Sequence, residues 1–159
     1  MKLPIAGALA LLMSVGTFAA GQKTMNAASA VGRWRLNVEK SDFGQMPKPK
    51  SGTLNITADS AASAKWNATI AYADGKKETY TYSGAEDGKP HPVMGDNPWK
   101  TIAYNRTGNM VSSDQVTLKD GSSLKQEFTI EGDTMTIKNT AAQGSGTEVW
   151  ERVKGPSAK

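Results

Sequence analysis

The sequence predicts an all-β protein: a closed antiparallel up-and-down barrel of about 8–9 strands with no substantial helix after an N-terminal export segment. Three observations carry this. From Val31 onward apolar residues recur at every second position, the period of a strand with one buried face. Turn residues interrupt the alternation about every twelve positions, the pitch of a meander of short strands rather than of strand–helix units. After residue 30 no long window keeps a helical period, although Glu39 to Phe43 has room for one helical turn.

Residues 1–30 read as a signal peptide. Met1-Lys2 gives a short positive start, and Leu3 to Ala20 follow without a charge. Pro4, Gly7, Ser14, Gly16 and Thr17 interrupt the apolar run, which suits a cleaved leader better than a permanent span. Two cleavage sites compete. Ala28-Ser29-Ala30 is the better small-x-small match, so cleavage after Ala30 is preferred, while Thr17-Phe18-Ala19 makes Ala19 the alternative. The barrel domain is expected over 31–153, with a disordered tail at 154–159. No membrane span is expected after cleavage of the leader. The absence of cysteine excludes a lipid anchor, disulfides and thiolate chemistry.

The strands follow in order. Trp34, Leu36 and Val38 alternate with Arg33, Arg35 and Asn37, then Leu54 and Ile56 alternate with Thr53, Asn55 and Thr57. Trp66, Ala68, Ile70 and Tyr72 share one parity, as do Tyr80 and Tyr82 beyond Asp74-Gly75, a dipeptide suited to a hairpin turn with positive φ. The second half repeats the pattern through Ile102 and Tyr104, Val116 and Leu118, Leu124, Phe128 and Ile130, Met135 and Ile137, and finally Val149 to Val153. Turns are expected at Thr107-Gly108-Asn109, Asp120-Gly121, Gly132-Asp133 and Gly144-Ser145-Gly146.

Two stretches break the alternation. Phe43 to Ser51 contains Met46-Pro47-Lys48-Pro49-Lys50 and reads as an extended connector. Gly84 to Pro98 carries three prolines and three glycines, cannot supply a sheet ladder, and reads as a long connection of the kind that forms binding or lid elements. So many sequential strands have two unpaired edges unless the sheet closes, which is why a barrel is expected.

Charge narrows the partners. The formal charge is +4, but removing residues 1–30 leaves 17 basic against 15 acidic residues, and the basic ones are scattered among acids. That field is too weak and too mixed for a nucleic-acid partner.

Several segments resemble a known group. Gly32-Arg33-Trp34-Arg35-Leu36-Asn37, Lys40-Ser41-Asp42-Phe43 with its Pro-Lys-Pro run, Asp87-Gly88-Lys89-Pro90-His91-Pro92-Val93 with Gly95, and Trp150-Glu151-Arg152 look like small secreted bacterial proteins described as lipocalin-like. The likeness spans nearly all of 31–153. It implies a closed lipocalin-like barrel and a periplasmic or extracellular location, and it brings no activity with it. In a closed meander Gly32 and Trp34 should lie beside Arg152, with the guanidinium over the indole face.

Chemistry-bearing residues are few. His91 is the only histidine and lies between two prolines with Asp87 and Asp96 nearby, a spacing that fits no metal template; no metal or cofactor and no catalytic residue is assigned. Asp114, Glu127, Glu131 and Glu148 offer carboxylates that are read mostly on the outward parity. The aromatic residues are more informative. Trp66, Tyr72, Tyr80, Tyr82 and Tyr104 take the inward parity, which sends phenol hydroxyls toward the interior. They are the expected lining of a cavity for a small, largely apolar or aromatic molecule. The competing reading is a filled core in an envelope-structural or protein-interaction module.

Overall fold

The computed structural model describes residues 29–108 and 110–155; residues 1–28, which hold most of the expected signal peptide, Asn109 and residues 156–159, which hold most of the expected tail, lie outside the described residues. Ten strands form: β1 (Gly32–Leu36), β2 (Ser51–Ser60), β3 (Ser63–Ala71), β4 (Lys77–Gly84), β5 (His91–Pro92), β6 (Trp99–Thr107), β7 (Met110–Leu118), β8 (Ser123–Glu131), β9 (Thr134–Ala141) and β10 (Gly144–Arg152). All lie antiparallel in one sheet, in the order β4-β3-β2-β1-β10-β9-β8-β7-β6-β5. Period two is plain in β4, where buried Glu78, Tyr80 and Tyr82 alternate with exposed Lys77, Thr79 and Thr81. No helix occurs among the described residues.

The first and last strands pair, with Trp34 opposite Arg152 and Leu36 opposite Trp150. Arg152 lies over the Trp34 indole, 4.1 Å from its centroid. Its Nη1 and Nη2 donate to the carbonyls of Val31 and Ser29 at 2.7 and 2.8 Å, and Trp34 Nε1 donates to the Ala30 carbonyl at 2.9 Å. A Cβ on Gly32, whose φ is +146°, would lie 2.5 Å from Arg152 Nη1. Glycine is therefore what lets the guanidinium pass. Ser29 and Ala30, placed by the sequence in the leader, are integral to this cluster.

The stretch from Gly84 to Pro98 corrects the expectation that it supplies no ladder. β5 pairs with β6, His91 opposite Ile102 and Pro92 opposite Thr101. On its other side the chain bonds to β4: Thr81 and Met94 exchange backbone hydrogen bonds of 2.9 Å, and Thr79 N–H donates to the Asp96 carbonyl at 2.9 Å. The segment thus fills the gap between β4 and β6 and nearly closes the barrel. Its prolines hold β5 to two residues, since Pro92 has no N–H to extend a ladder. Gly95 is required at this seam, because its φ is +110° and a Cβ would strike the Thr79 carbonyl.

Two further details differ from the sequence expectation. The last turn falls at Ala142–Gln143, and Gly144-Ser145-Gly146 belongs to β10, where Gly144 pairs with Ala141 and Asp42 bridges to Thr147. The connector after β1 is more than a linker: Phe43 and Pro49 are buried, and Phe43, Met46, Pro47 and Pro49 lie on the wall of the interior. Buried side chains gather in two groups, one around Tyr80, Tyr82, Ile102, Tyr104 and Val116, the other around Trp34, Leu36, Phe43, Met135, Ile137 and Trp150.

Candidate functional site

Between those two groups lies a cavity of about 410 Å³. That is in the range of small-molecule sites, and it means that the barrel is not filled by its own side chains. Trp66, Tyr72, Tyr80 and Tyr104 stand on its wall, with Leu54, Ile56 and Phe128 among the apolar residues between them.

Tyr82 is not on the wall, which corrects its place among the expected lining residues. It packs beside Trp66, its register partner, with the rings stacked at 5.8 Å, and meets Tyr104 edge-on at 5.4 Å. Its hydroxyl turns outward to the Ala85 carbonyl at 2.6 Å. Tyr82 supports the wall instead of forming it. Trp99, unassigned in the sequence, takes a place on the wall: it meets Tyr80 edge-on at 5.0 Å and Trp66 at 6.4 Å.

The phenols have partners, as buried hydroxyls require. Tyr72 and Tyr80 both donate to Glu78 Oε2, at 3.0 and 2.7 Å, while Lys76 Nζ donates to Oε1 at 2.8 Å. Burial alone would raise the Glu78 carboxyl, but the hydrogen bonds from Lys76, Tyr80 and Tyr72 outweigh it and hold the group below the usual glutamate value. The same contacts, added to burial, push both phenols up. Tyr104 accepts a hydrogen bond from Trp66 Nε1 at 2.7 Å.

A polar row crosses the largely apolar wall. Tyr104 on β6 stands opposite Asp114 on β7, Asp114 opposite Gln126 on β8, and Gln126 opposite Asn139 on β9. Glu148 follows on β10. Gln126 Nε2 donates to Asn139 Oδ1 at 2.6 Å, Asn139 Nδ2 to Glu148 Oε1 at 2.9 Å, and Trp150 Nε1 to Glu148 Oε2 at 2.9 Å. Asp114 interrupts the chain of bonds. It is 1% exposed, and neither of its carboxyl oxygens has a hydrogen-bond partner. Burial drives its pKa well above the usual aspartate value. Burial also raises Glu148, against the bonds from Trp150 and Asn139, and burial together with the facing Asp114 raises Tyr104.

The inward positions of Asp114 and Glu148 correct their assignment to the outer face; Glu127 and Glu131 are exposed as expected. The signal was available. Asp114 shares the parity of Val116 and Leu118, Gln126 that of Leu124 and Phe128, and Glu148 that of Trp150. At one end of the cavity Arg106 Nη1 pairs with Asp59 Oδ1 at 2.7 Å and with Glu86. His91 Nε2 lies 2.8 Å from Asp87 Oδ1, and that hydrogen bond, with a backbone bond from Lys89, lowers the Asp87 carboxyl. Among the described residues no three histidine, aspartate or glutamate side chains gather as a metal site, and no helix is long and apolar enough to cross a membrane.

No protein-family model matches the chain, and no curated protein matches it. Among solved structures, a mutant of the fluorescent protein UnaG is similar, with a TM-score of 0.54 at 14% identity over 78% of this chain and 96% of that one. At that identity the likeness concerns the fold, and with the sheet closure above it makes this a lipocalin-like barrel.

Proposed function

We propose that this chain is an exported barrel that binds one small, largely apolar or aromatic molecule in its interior, in the periplasm or outside the cell. The observation that supports it most is the cavity of about 410 Å³ bounded by Trp66, Tyr72, Tyr80, Trp99 and Tyr104. A wall of aromatic faces with a few fixed polar groups is the usual build of a small-molecule site. The alternative of a docking module with a filled core lacks such support: the described residues expose only Val31, Met94 and Val153 among large apolar side chains. Cleavage after Ala19 accords better with this barrel than cleavage after Ala30, because it keeps the Ser29 and Ala30 carbonyls that Arg152 and Trp34 use. Native mass spectrometry of protein purified gently from its own host tests the proposal. A reproducible added mass that disappears on denaturation is expected; a bare chain that also takes up no added apolar compound would refute it.

A further inference from the structure

The ionisable groups on the cavity wall are all acidic. Asp59, Glu78, Glu86, Asp114 and Glu148 contribute to it, and among the described residues no lysine, arginine or histidine does. Three of the five already have a cation within reach behind the wall. Arg106, itself 11% exposed, serves Asp59 and Glu86, and Lys76 serves Glu78. Glu148 has only neutral donors, the Trp150 indole and the Asn139 amide. Asp114 has none, at 1% exposure, between Tyr104 on one side and Gln126 on the other.

A buried carboxyl without a partner costs stability, and each such group in a folded protein calls for an explanation. Every other member of the row has at least one hydrogen bond, so Asp114 is the one carboxyl of the wall with both oxygens buried and unpartnered. The aromatic faces next to it add to this, since indole and phenol rings attract a cation and do nothing for an anion. An organic carboxylate or phosphate entering this interior would meet uncompensated acids and no positive side chain of the wall.

We propose, building on the small-molecule reading above, that the guest is a hydrophobic amine whose protonated nitrogen sits at Asp114 in the polar row while its apolar body lies against Trp66, Tyr104 and Phe128. Asp114 supplies the countercharge. Glu148, reached through Gln126 and Asn139, adds a second negative group farther along the row. The site then selects by charge as well as by shape, taking an amine over a neutral molecule of the same outline and rejecting the matching acid.

Calorimetric titration with three probes of one shape separates the claims: 1-naphthylmethylamine, 1-naphthylmethanol and 1-naphthoate. The amine should bind at least about tenfold more tightly than the alcohol, a gap of about 1.4 kcal/mol, and the carboxylate more weakly than either. Asp114→Asn should bring the amine down to about the affinity that the alcohol has for the same variant, and Glu148→Gln should narrow the gap less. Equal binding of amine and alcohol by the native protein, or tighter binding of the carboxylate, overturns the amine assignment and leaves the pocket standing. Failure of all three probes to bind removes the pocket and the amine together. Because the native-protein comparison needs no variant, the test stands even if a substitution disturbs folding.

Discussion

Replacing Asp114 by Asn should stabilise the ligand-free protein at neutral pH, although it alters a fully buried residue. The native carboxyl has no partner for either oxygen, and an unsatisfied buried polar group costs about 1–3 kcal/mol, more if it carries charge. Asparagine has almost the same shape and never ionises. The amide finds no partner there either, so the gain comes only from removing the cost of ionisation; each tenfold by which folding tightens proton binding is worth about 1.4 kcal/mol, and for a domain of this size each kcal/mol moves Tm by about 3–6 °C. The pH dependence fixes the cause. Burial raises the folded carboxyl above its unfolded value, so the folded state holds the proton more tightly. The contribution of Asp114 is therefore fully present below about pH 3.9, falls as pH rises from there, and stops falling only above the raised folded value. The variant and the native protein should accordingly have similar stability at low pH and diverge as pH rises. Urea unfolding of both proteins at several pH values reads this directly. A variant that is less stable at neutral pH, or a difference that does not grow with pH, would show that Asp114 is satisfied in the folded state and would refute the reasoning.

Arg152→Ala should destabilise the barrel by about 1–3 kcal/mol in urea, because the stacking on Trp34 and the bonds to the Ser29 and Val31 carbonyls go together. Gly95→Ala should cost about 2 kcal/mol or more, since it combines a positive φ with a clash on the Thr79 carbonyl, and should speed amide exchange at Thr79, Thr81 and Met94. Gly75→Ala, at φ +88° with open space around it, should cost about 1 kcal/mol and leave those amides protected. Glu78→Gln should flatten the acid limb of the stability profile: the lowered Glu78 pKa gives stability that is present above about pH 4.3 and is lost as pH falls through the folded value, and the variant lacks that loss.

Much of the fold was legible because a one-sided strand records its buried face in alternate residues, as β4 and β9 do most clearly. The pairing of the first and last strands followed from closing the meander, and it put Gly32 and Trp34 beside Arg152. β5 was not legible, since two residues carry no period and the prolines around them argue against a ladder. The site was read in part. Parity tells which face of a sheet a side chain takes but not its depth along the barrel, so Tyr80 and Tyr82 looked equivalent although only Tyr80 reaches the cavity. Asp114 and Glu148 carried the inward parity too. They were misread because a charge on a strand usually faces water. Trp99 was hidden by its position directly after Asn97-Pro98, at the end of a stretch read as loop.

The central claim, that the interior accepts a small apolar guest, is tested most directly by the four indole N–H resonances of isotope-labelled protein. Trp66, Trp99 and Trp150 lie on the cavity wall, and Trp34 does not, being sealed beneath Arg152 at the β1–β10 junction. On titration with 1-naphthylmethanol, the account predicts saturable shifts with one-site behaviour for Trp66, Trp99 and Trp150, and an unmoved Trp34 signal. No shift at any indole, or shifts that grow without saturating and include Trp34 equally, would contradict it.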